Sequence, residues 1–425
     1  MFSSKPKTFY DAIDLLVKFN CFLGLGVYRQ ENQSRVALFF MTFYTVAINI
    51  GIWLGTYIGF AQIAKTSDAG NTSPTALIMY KALVYTNSSF TVMTPITVWL
   101  RRKVLTSSFE EMMIIDNSFE TILESRNKYT KRYINLLVEL ISISLFVFGV
   151  CICDIAWTRI WGMVDNQSIQ SIWGTLATLH HPILLTLILD INFCTFIRYL
   201  EKQFEDLNSG ILKLAIESNC ANTSKRPGLQ MYSRDFMPTK LAPEVENIVA
   251  TSFVKDKYYL LQRIRKTHLT LTKLTKKLNT AFGLQNLFSL VDSLVMITGL
   301  SYTIYGTLSW KSFNYDKFQE IISPIAWTLI YGYKIWVICH ACYKVTREIQ
   351  RTGQVIYDLL GRKVDTELQK EIRDFSLQML KNPVSFNVYG ILTLDHSFIQ
   401  QVIEFFHGFV HSCLFLCVLF ALNDR

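Results

Sequence analysis

Seven stretches of the chain run for some twenty residues or more with few charges: Val36–Ala61, Ala76–Leu100, Tyr133–Ile155, Ser171–Ile197, Thr280–Tyr305, Ile321–Cys342 and Phe398–Leu422. A helix of about 20 apolar residues matches the ~30 Å hydrocarbon core of a bilayer. The pattern therefore predicts an all-α membrane protein with seven transmembrane helices. Between these stretches the period changes rather than disappears. After the fourth, Leu200, Phe204, Leu207, Ile211 and Leu214 recur at three- and four-residue spacing, so the helix is expected to continue over Arg198–Ile216. A linker rich in Asn, Ser, Pro and charge follows over Glu217–Pro243. Leu260, Ile264, Leu271, Leu274 and Leu278 then lead into the fifth stretch, and Val345, Ile349, Val355, Leu359 and Leu360 mark a further stripe within Lys344–Asp374. Such amphipathic extensions bury their stripes against one another. They predict long helical projections that form an inner bundle.

Charge supplies an orientation. About 35 Lys and Arg residues fall in one set of connections and about five in the alternate set, and basic residues favour the cytoplasmic side. The basic set holds Lys5 to Arg35, Arg101 to Arg132, Arg198 to Lys277 and Lys344 to Lys381. The N-terminus is thus expected inside and, after seven spans, the C-terminus outside. The resulting division is 1–35 as a cytoplasmic N-terminal segment, 36–197 as spans one to four, and 198–279 as cytoplasmic extensions with a linker. It continues with 280–342 as spans five and six, 343–397 as a cytoplasmic segment and the start of helix seven, and 398–425 as the last span. The first span serves as an uncleaved insertion signal, because its apolar run starts too far in for a cleavable leader. Asn71 and Asn166 sit in glycosylation sequons of expected outer loops.

Composition narrows the function classes. Half of the 425 residues are hydrophobic and only 18% are charged, below the quarter or so of a soluble chain. The net charge of +9 is spread between apolar runs rather than along one basic face, so no nucleic-acid partner is expected. The nine cysteines show no disulfide framework. Cys339-His340-Ala341-Cys342 places two thiols on one helix face, yet no second ligand pair stands nearby, and buried small residues are the better reading. No metal or cofactor is expected. Ionisable residues inside spans are costly and point to polar cavities between helices; they include Lys81, Asp154, His180, His181, Asp190, Asp292, Lys334, His340, Glu404, His407 and His411. At the outer end of the third span, Asp154 and Trp157 share a helix face, and Arg159 lies within reach of a carboxylate.

From about Trp327 onward the chain resembles the insect gustatory receptor family. The carrying residues are Ser385-Phe386-Asn387-Val388-Tyr389-Gly390-Ile391-Leu392-Thr393-Leu394-Asp395 before the last helix, and Arg347-Glu348-Ile349-Gln350-Arg351-Thr352 after span six. The family's terminal motif is altered: Ser412 stands for Thr, Cys413 for Tyr and Leu419 for Gln, while Phe420 is kept. The resemblance implies a ligand-gated non-selective cation channel of four subunits, homomeric or heteromeric, set in membrane lipid and opened by a small-molecule tastant. It implies a ligand pocket in the outer half of the spans, with Asp154, Trp157 and Arg159 joined by Tyr302, Tyr305, Trp327 and Tyr331. It also implies a pore along span seven, narrowed by Phe415, Leu416, Leu419 and Phe420, whose apolar rings gate by dewetting.

Other seven-span readings fit less well. A G-protein-coupled receptor has its N-terminus outside, and no Asp-Arg-Tyr follows the third span. A transporter calls for paired halves and broken spans, and no internal repeat is visible. An enzyme needs converging acid–base groups, and His180-His181 is the sole candidate pair, so the chain is read as non-enzymatic. The pocket candidates are rich in aromatic residues, which favours bitter or plant secondary compounds over a sugar.

Overall fold

The computed structural model describes residues 9–25, 35–67, 74–123, 129–160, 173–174, 176–223, 243–308, 315–361 and 366–408. In chain order these form α1 (Phe9–Phe22), α2 (Arg35–Ser67), α3 (Pro74–Leu123) and α4 (Tyr129–Ile160). A π-helical turn (Leu176–His180) then runs into α5 (His181–Thr223), followed by α6 (Pro243–Leu308), α7 (Tyr315–Leu360) and α8 (Thr366–Lys381). A hairpin of β1 (Asn387–Val388) and β2 (Leu392–Thr393) leads into α9, helical over 396–408. The nearly all-helical architecture is the expected one. Among the described residues, five segments are long and apolar enough to cross a bilayer: Phe39–Ala61, Tyr129–Cys153, Leu176–Leu214, Lys257–Gly306 and Ile321–Leu360. The second expected span lies on α3, and most of the seventh lies outside the described residues.

The first half of α5 is apolar on nearly every side, and a helix segment of that kind belongs in the interior. Ile188, Phe193, Cys194, Ile197, Tyr199, Leu200 and Phe204 are all buried, and α3, α6 and α7 pack around them. α2 and α4 instead present Phe39, Phe43, Leu145 and Phe148 outward, as lipid-facing helices do. Glycine sets the approach of α2 to the π-helical turn. A Cβ on Gly59 would come within 2.5 Å of Thr178, and one on Gly55 within 2.6 Å of Trp173. Gly55 and Gly59, four residues apart, form the small-residue seam that lets two membrane helices touch closely.

α3, α5, α6 and α7 have 50, 43, 66 and 46 residues, well beyond what a span needs. Their extra turns pack into a bundle in which Leu207, Ile211, Ile264, Leu271, Leu274, Val345 and Leu359 are buried. The charge-bearing family stretch of α7 faces this bundle. Asn208 of α5 donates to the Glu348 carbonyl at 2.9 Å and to its carboxylate at 3.2 Å, and accepts from the Thr352 hydroxyl at 2.6 Å. On α3, Asp116 accepts hydrogen bonds from Tyr129, Tyr199 and Gln203.

Three features depart from the expectation. The N-terminal segment contains α1, whose Phe9, Ala12, Ile13, Leu16 and Val17 form one buried face. Phe9 packs 4.5 Å from the Tyr199 ring, and Asn20 and Asn192 exchange amide hydrogen bonds at 2.8 Å. The stripe Val345–Leu360 lies on α7 alone, but the segment Lys344–Asp374 divides, because α7 stops at Leu360 and α8 folds back. Arg265 of α6 reaches Glu371 of α8 at 2.5 Å, while His268 lies between the rings of Phe204 and Phe375. Finally, the stretch before the last helix is a β-hairpin. Tyr389 and Gly390 both have positive φ, and Ile391 N donates to Val388 O across the turn at 2.9 Å. Gly tolerates that conformation at no steric cost. Asp395 then caps α9, accepting from the backbone N–H of Ser397 and Phe398 at 2.9 and 3.1 Å.

Candidate functional site

The interior of the membrane bundle holds a charged cluster built by one turn from each of three helices. α5 contributes Thr186 and Asp190, four residues apart; α6 contributes Ser289 and Asp292; α7 contributes Tyr331 and Lys334, both pairs three apart. These spacings put each pair on one helix face. Lys334 is 2% exposed and its Nζ donates to the Thr186 hydroxyl at 3.1 Å. It stands 3.7 Å from an Asp190 oxygen and 3.8 Å from an Asp292 oxygen, and 5.2 Å from the centre of the Tyr331 ring. Ser289 donates to Asp190 at 2.8 Å. A lone buried charge costs several kcal/mol, so the three ionisable groups make sense only as a unit.

Around this cluster the polar groups continue. Gln285 receives a hydrogen bond from Arg101 of α3, whose guanidinium lies over the Phe282 ring at 4.4 Å. Asn286 is buried with no hydrogen-bond partner for its amide among the described residues, and the same holds for the Tyr331 hydroxyl. A cavity of about 10 Å³ opens between α3, α5 and α6, lined by Thr94, Thr97, Thr186, Asp190, Gln285 and Ser289 with Phe90, Met93, Leu189 and Phe288. That is the room of one water-sized particle. A larger groove of about 300 Å³ lies between α4, α5 and α7, lined by Ile143, Phe146, Val147, Leu187, Leu329 and Tyr333 and open to the outside.

The sequence-derived site residues are distributed unevenly. Trp327 and Tyr331 are buried on α7, one turn apart; Trp327 stacks on His180 with ring centres 5.9 Å apart. Tyr302 and Tyr305 are half-buried toward the end of α6. The side chains of Asp154, Trp157 and Arg159 lie outside the described residues, as do Asn71, Asn166, Phe415, Leu416, Leu419 and Phe420. Asp190, Asp292 and Lys334 were legible only as separate intramembrane charges; the fold makes them partners. Thr186, Ser289 and Gln285 carried no sequence signal, since hydroxyl and amide residues on an apolar helix are common. Cys339 and Cys342 are buried free thiols. His340 turns away from them, stacked on Trp336, with its Nδ1 3.2 Å from His396 Nε2 of α9.

Residues 14–405 match the family model described as 7tm Chemosensory receptor. Among curated proteins, the Drosophila melanogaster gustatory receptor for sugar taste 43a is 20% identical over 224 residues, covering 50% of this chain and 52% of that one. Gustatory receptor 68a of the same species is 26% identical over 30% of this chain and 33% of that one. The chain thus spans about half the length of the first of these relatives and about a third of the second. The solved olfactory receptor OR5 from Machilis hrabei superposes with a TM-score of 0.61 over 96% of this chain and 97% of that one, at 10% identity. Its complex with eugenol gives 0.65 over 95% and 97%, also at 10% identity. At that identity the likeness concerns the fold.

Proposed function

Because the chain belongs to the 7tm chemosensory receptor family, we propose that this multi-pass membrane protein is a gustatory receptor. It works as a tetrameric ligand-gated non-selective cation channel opened by a small-molecule tastant. The family match over residues 14–405 carries this reading, and the shared fold with an olfactory receptor solved with eugenol supports a small organic ligand. The N-terminus and the helical bundle face the cytoplasm, in keeping with the basic residues of the long connections. Trp327 and Tyr331, with Tyr302, Tyr305, Asp154, Trp157 and Arg159, form the ligand pocket. An apolar wall with few polar groups suits a bitter or plant secondary compound. The name of the sugar-taste relative favours a second reading, in which the ligand is a sugar. Phe415, Leu416, Leu419 and Phe420 narrow the pore, and Asn71 and Asn166 carry outer glycans.

The test is calcium entry in heterologous cells challenged with a bitter panel and a sugar panel, with a C-terminal tag labelled in intact cells. A response to bitter compounds that Trp327→Ala abolishes at unchanged surface expression is the expected result. Surface-expressed receptor that admits no cation with either panel, or a tag reached only after permeabilisation, would overturn the reading. For the gate, a Leu419→Ala channel should leak when closed; unchanged leak and ligand response would remove Leu419 from it.

A further inference from the structure

Two carboxylates and one ammonium meet in the bundle interior, so the ionised cluster of Asp190, Asp292 and Lys334 carries one surplus negative charge. Within the cluster itself nothing balances it. Among the described residues, α7 adds the phenol of Tyr331 and α5 the thiol of Cys194, one helical turn from Asp190. The Arg101 guanidinium of α3 is directed to Gln285 and Phe282. Glu139 of α4 and Arg198 of α5 neutralise each other in a two-point pair, at 2.5 and 3.1 Å. Lys334 pairs with both carboxylates only loosely, at 3.7 and 3.8 Å, beyond hydrogen-bond range. Among the described residues, Asp190 Oδ1 and Asp292 Oδ1 accept no hydrogen bond.

Independent observations point to what the Asp190 side of the cluster can hold. The Tyr331 hydroxyl is fully buried with no hydrogen-bond partner among the described residues, one helical turn from Lys334, whose Nζ stands 5.2 Å from the Tyr331 ring centre. The 10 Å³ cavity beside Asp190 is walled by oxygen-bearing side chains, namely Thr94, Thr97, Thr186, Ser289 and the Gln285 amide. Hard oxygen donors around a carboxylate are the surroundings that small hard cations take. Its volume admits one particle of about water size and no organic tastant.

We propose that the Asp190–Asp292–Lys334 cluster with its oxygen-lined cavity binds one unit of small monovalent positive charge, a sodium ion or a proton, which neutralises the site. Tyr331 is shared with the ligand pocket assigned above, but the site needs neither a bound tastant nor the pore; the membrane setting of the bundle is assumed. Loading the site stabilises the contact among α5, α6 and α7, because the uncompensated carboxylate then gains a partner.

The experiment is thermal unfolding of the purified full chain in detergent, without tastant. One arm varies sodium against N-methylglucamine at constant ionic strength at pH 8; the other varies pH from 5 to 8 in N-methylglucamine. Wild type, Asp292→Asn and Asp190→Asn are compared. For a sodium ion, wild-type Tm rises by roughly 2 °C or more with sodium; for a proton, it rises relative to the variants as pH falls. Both variants are neutral clusters by substitution and should fold at least as well as unloaded wild type, with the dependence gone. A wild type indifferent to sodium and to pH relative to the variants overturns the proposal. So does a dependence that both variants keep, or the failure of both to fold. Since no current is read, a channel that never opens leaves this test intact.

Discussion

Asn208→Ala probes the join between α5 and α7 outside the span region. The side chain is 1% exposed and makes three hydrogen bonds: to the Glu348 carbonyl, to its carboxylate, and from Thr352. The two neutral bonds contribute about 1 kcal/mol each and the charge-assisted one about 1.5–3 kcal/mol. Thr352 retains its bond to the Glu348 carbonyl at 3.1 Å, and Arg351 remains 3.6 Å from the carboxylate, so neither partner is orphaned. The net loss is then about 4 kcal/mol. With an unfolding entropy near 2.1 cal/mol/K per residue, that lowers Tm by roughly 4–5 °C in a chain of this size. Thr352→Val removes one of the three bonds together with the hydroxyl's own bond to the Glu348 carbonyl, and should cost about 1–2 kcal/mol. The double variant should lose less than the sum, by about 1 kcal/mol, because the two changes delete a shared bond. Thermal unfolding in detergent measures all three. A Tm for Asn208→Ala within about 1 °C of wild type, or plain additivity in the double variant, would refute the account of this join.

Two further outcomes follow from the same coordinates. Gly59→Val should lower the folded yield and cost about 1–3 kcal/mol through overpacking against Thr178. Gly51→Ala, with open space at its Cβ, should be neutral in the same size-exclusion and thermal-unfolding measurements. Asp116 has its pKa raised, chiefly because burial disfavours the carboxylate, against the lowering pull of Tyr129, Tyr199, Arg132 and Gln203. Its contribution to stability is therefore fully present below the unfolded carboxylate value near 3.9 and is lost as pH rises through the raised folded pKa. Asp116→Asn should flatten that part of the Tm–pH profile; an unchanged difference between variant and wild type across acid pH would contradict the assignment.

The apolar runs were legible because a bilayer imposes length and composition together, and the interior stripes because helical packing imposes a period. α1 escaped notice for the same reasons. Its 14 residues are too few to register as a span, and Asp11, Asp14 and Lys18 interrupt the run of Phe9, Ala12, Ile13, Leu16 and Val17. The hairpin before α9 was read as a motif without a shape, although its parts have simple causes: positive φ at Gly390 turns the chain, and Asp395 caps the helix. In the same way Arg347–Thr352 was read as a family marker, and it proves to be the α7 half of the Asn208 join. The intramembrane charges form the opposite case. Their cost made each conspicuous, but Asp190, Asp292 and Lys334 lie on three helices, and pairing across helices depends on rotation about each axis. A rotation of one residue, about 100°, would turn Lys334 away from both carboxylates. The neighbours that fix it are apolar: Tyr331, Ile335 and Ile338 on α7 pack within the core that holds Phe193 and Leu290. Packing of uncharged residues thus decides which charges meet, and the site follows from the core that surrounds it.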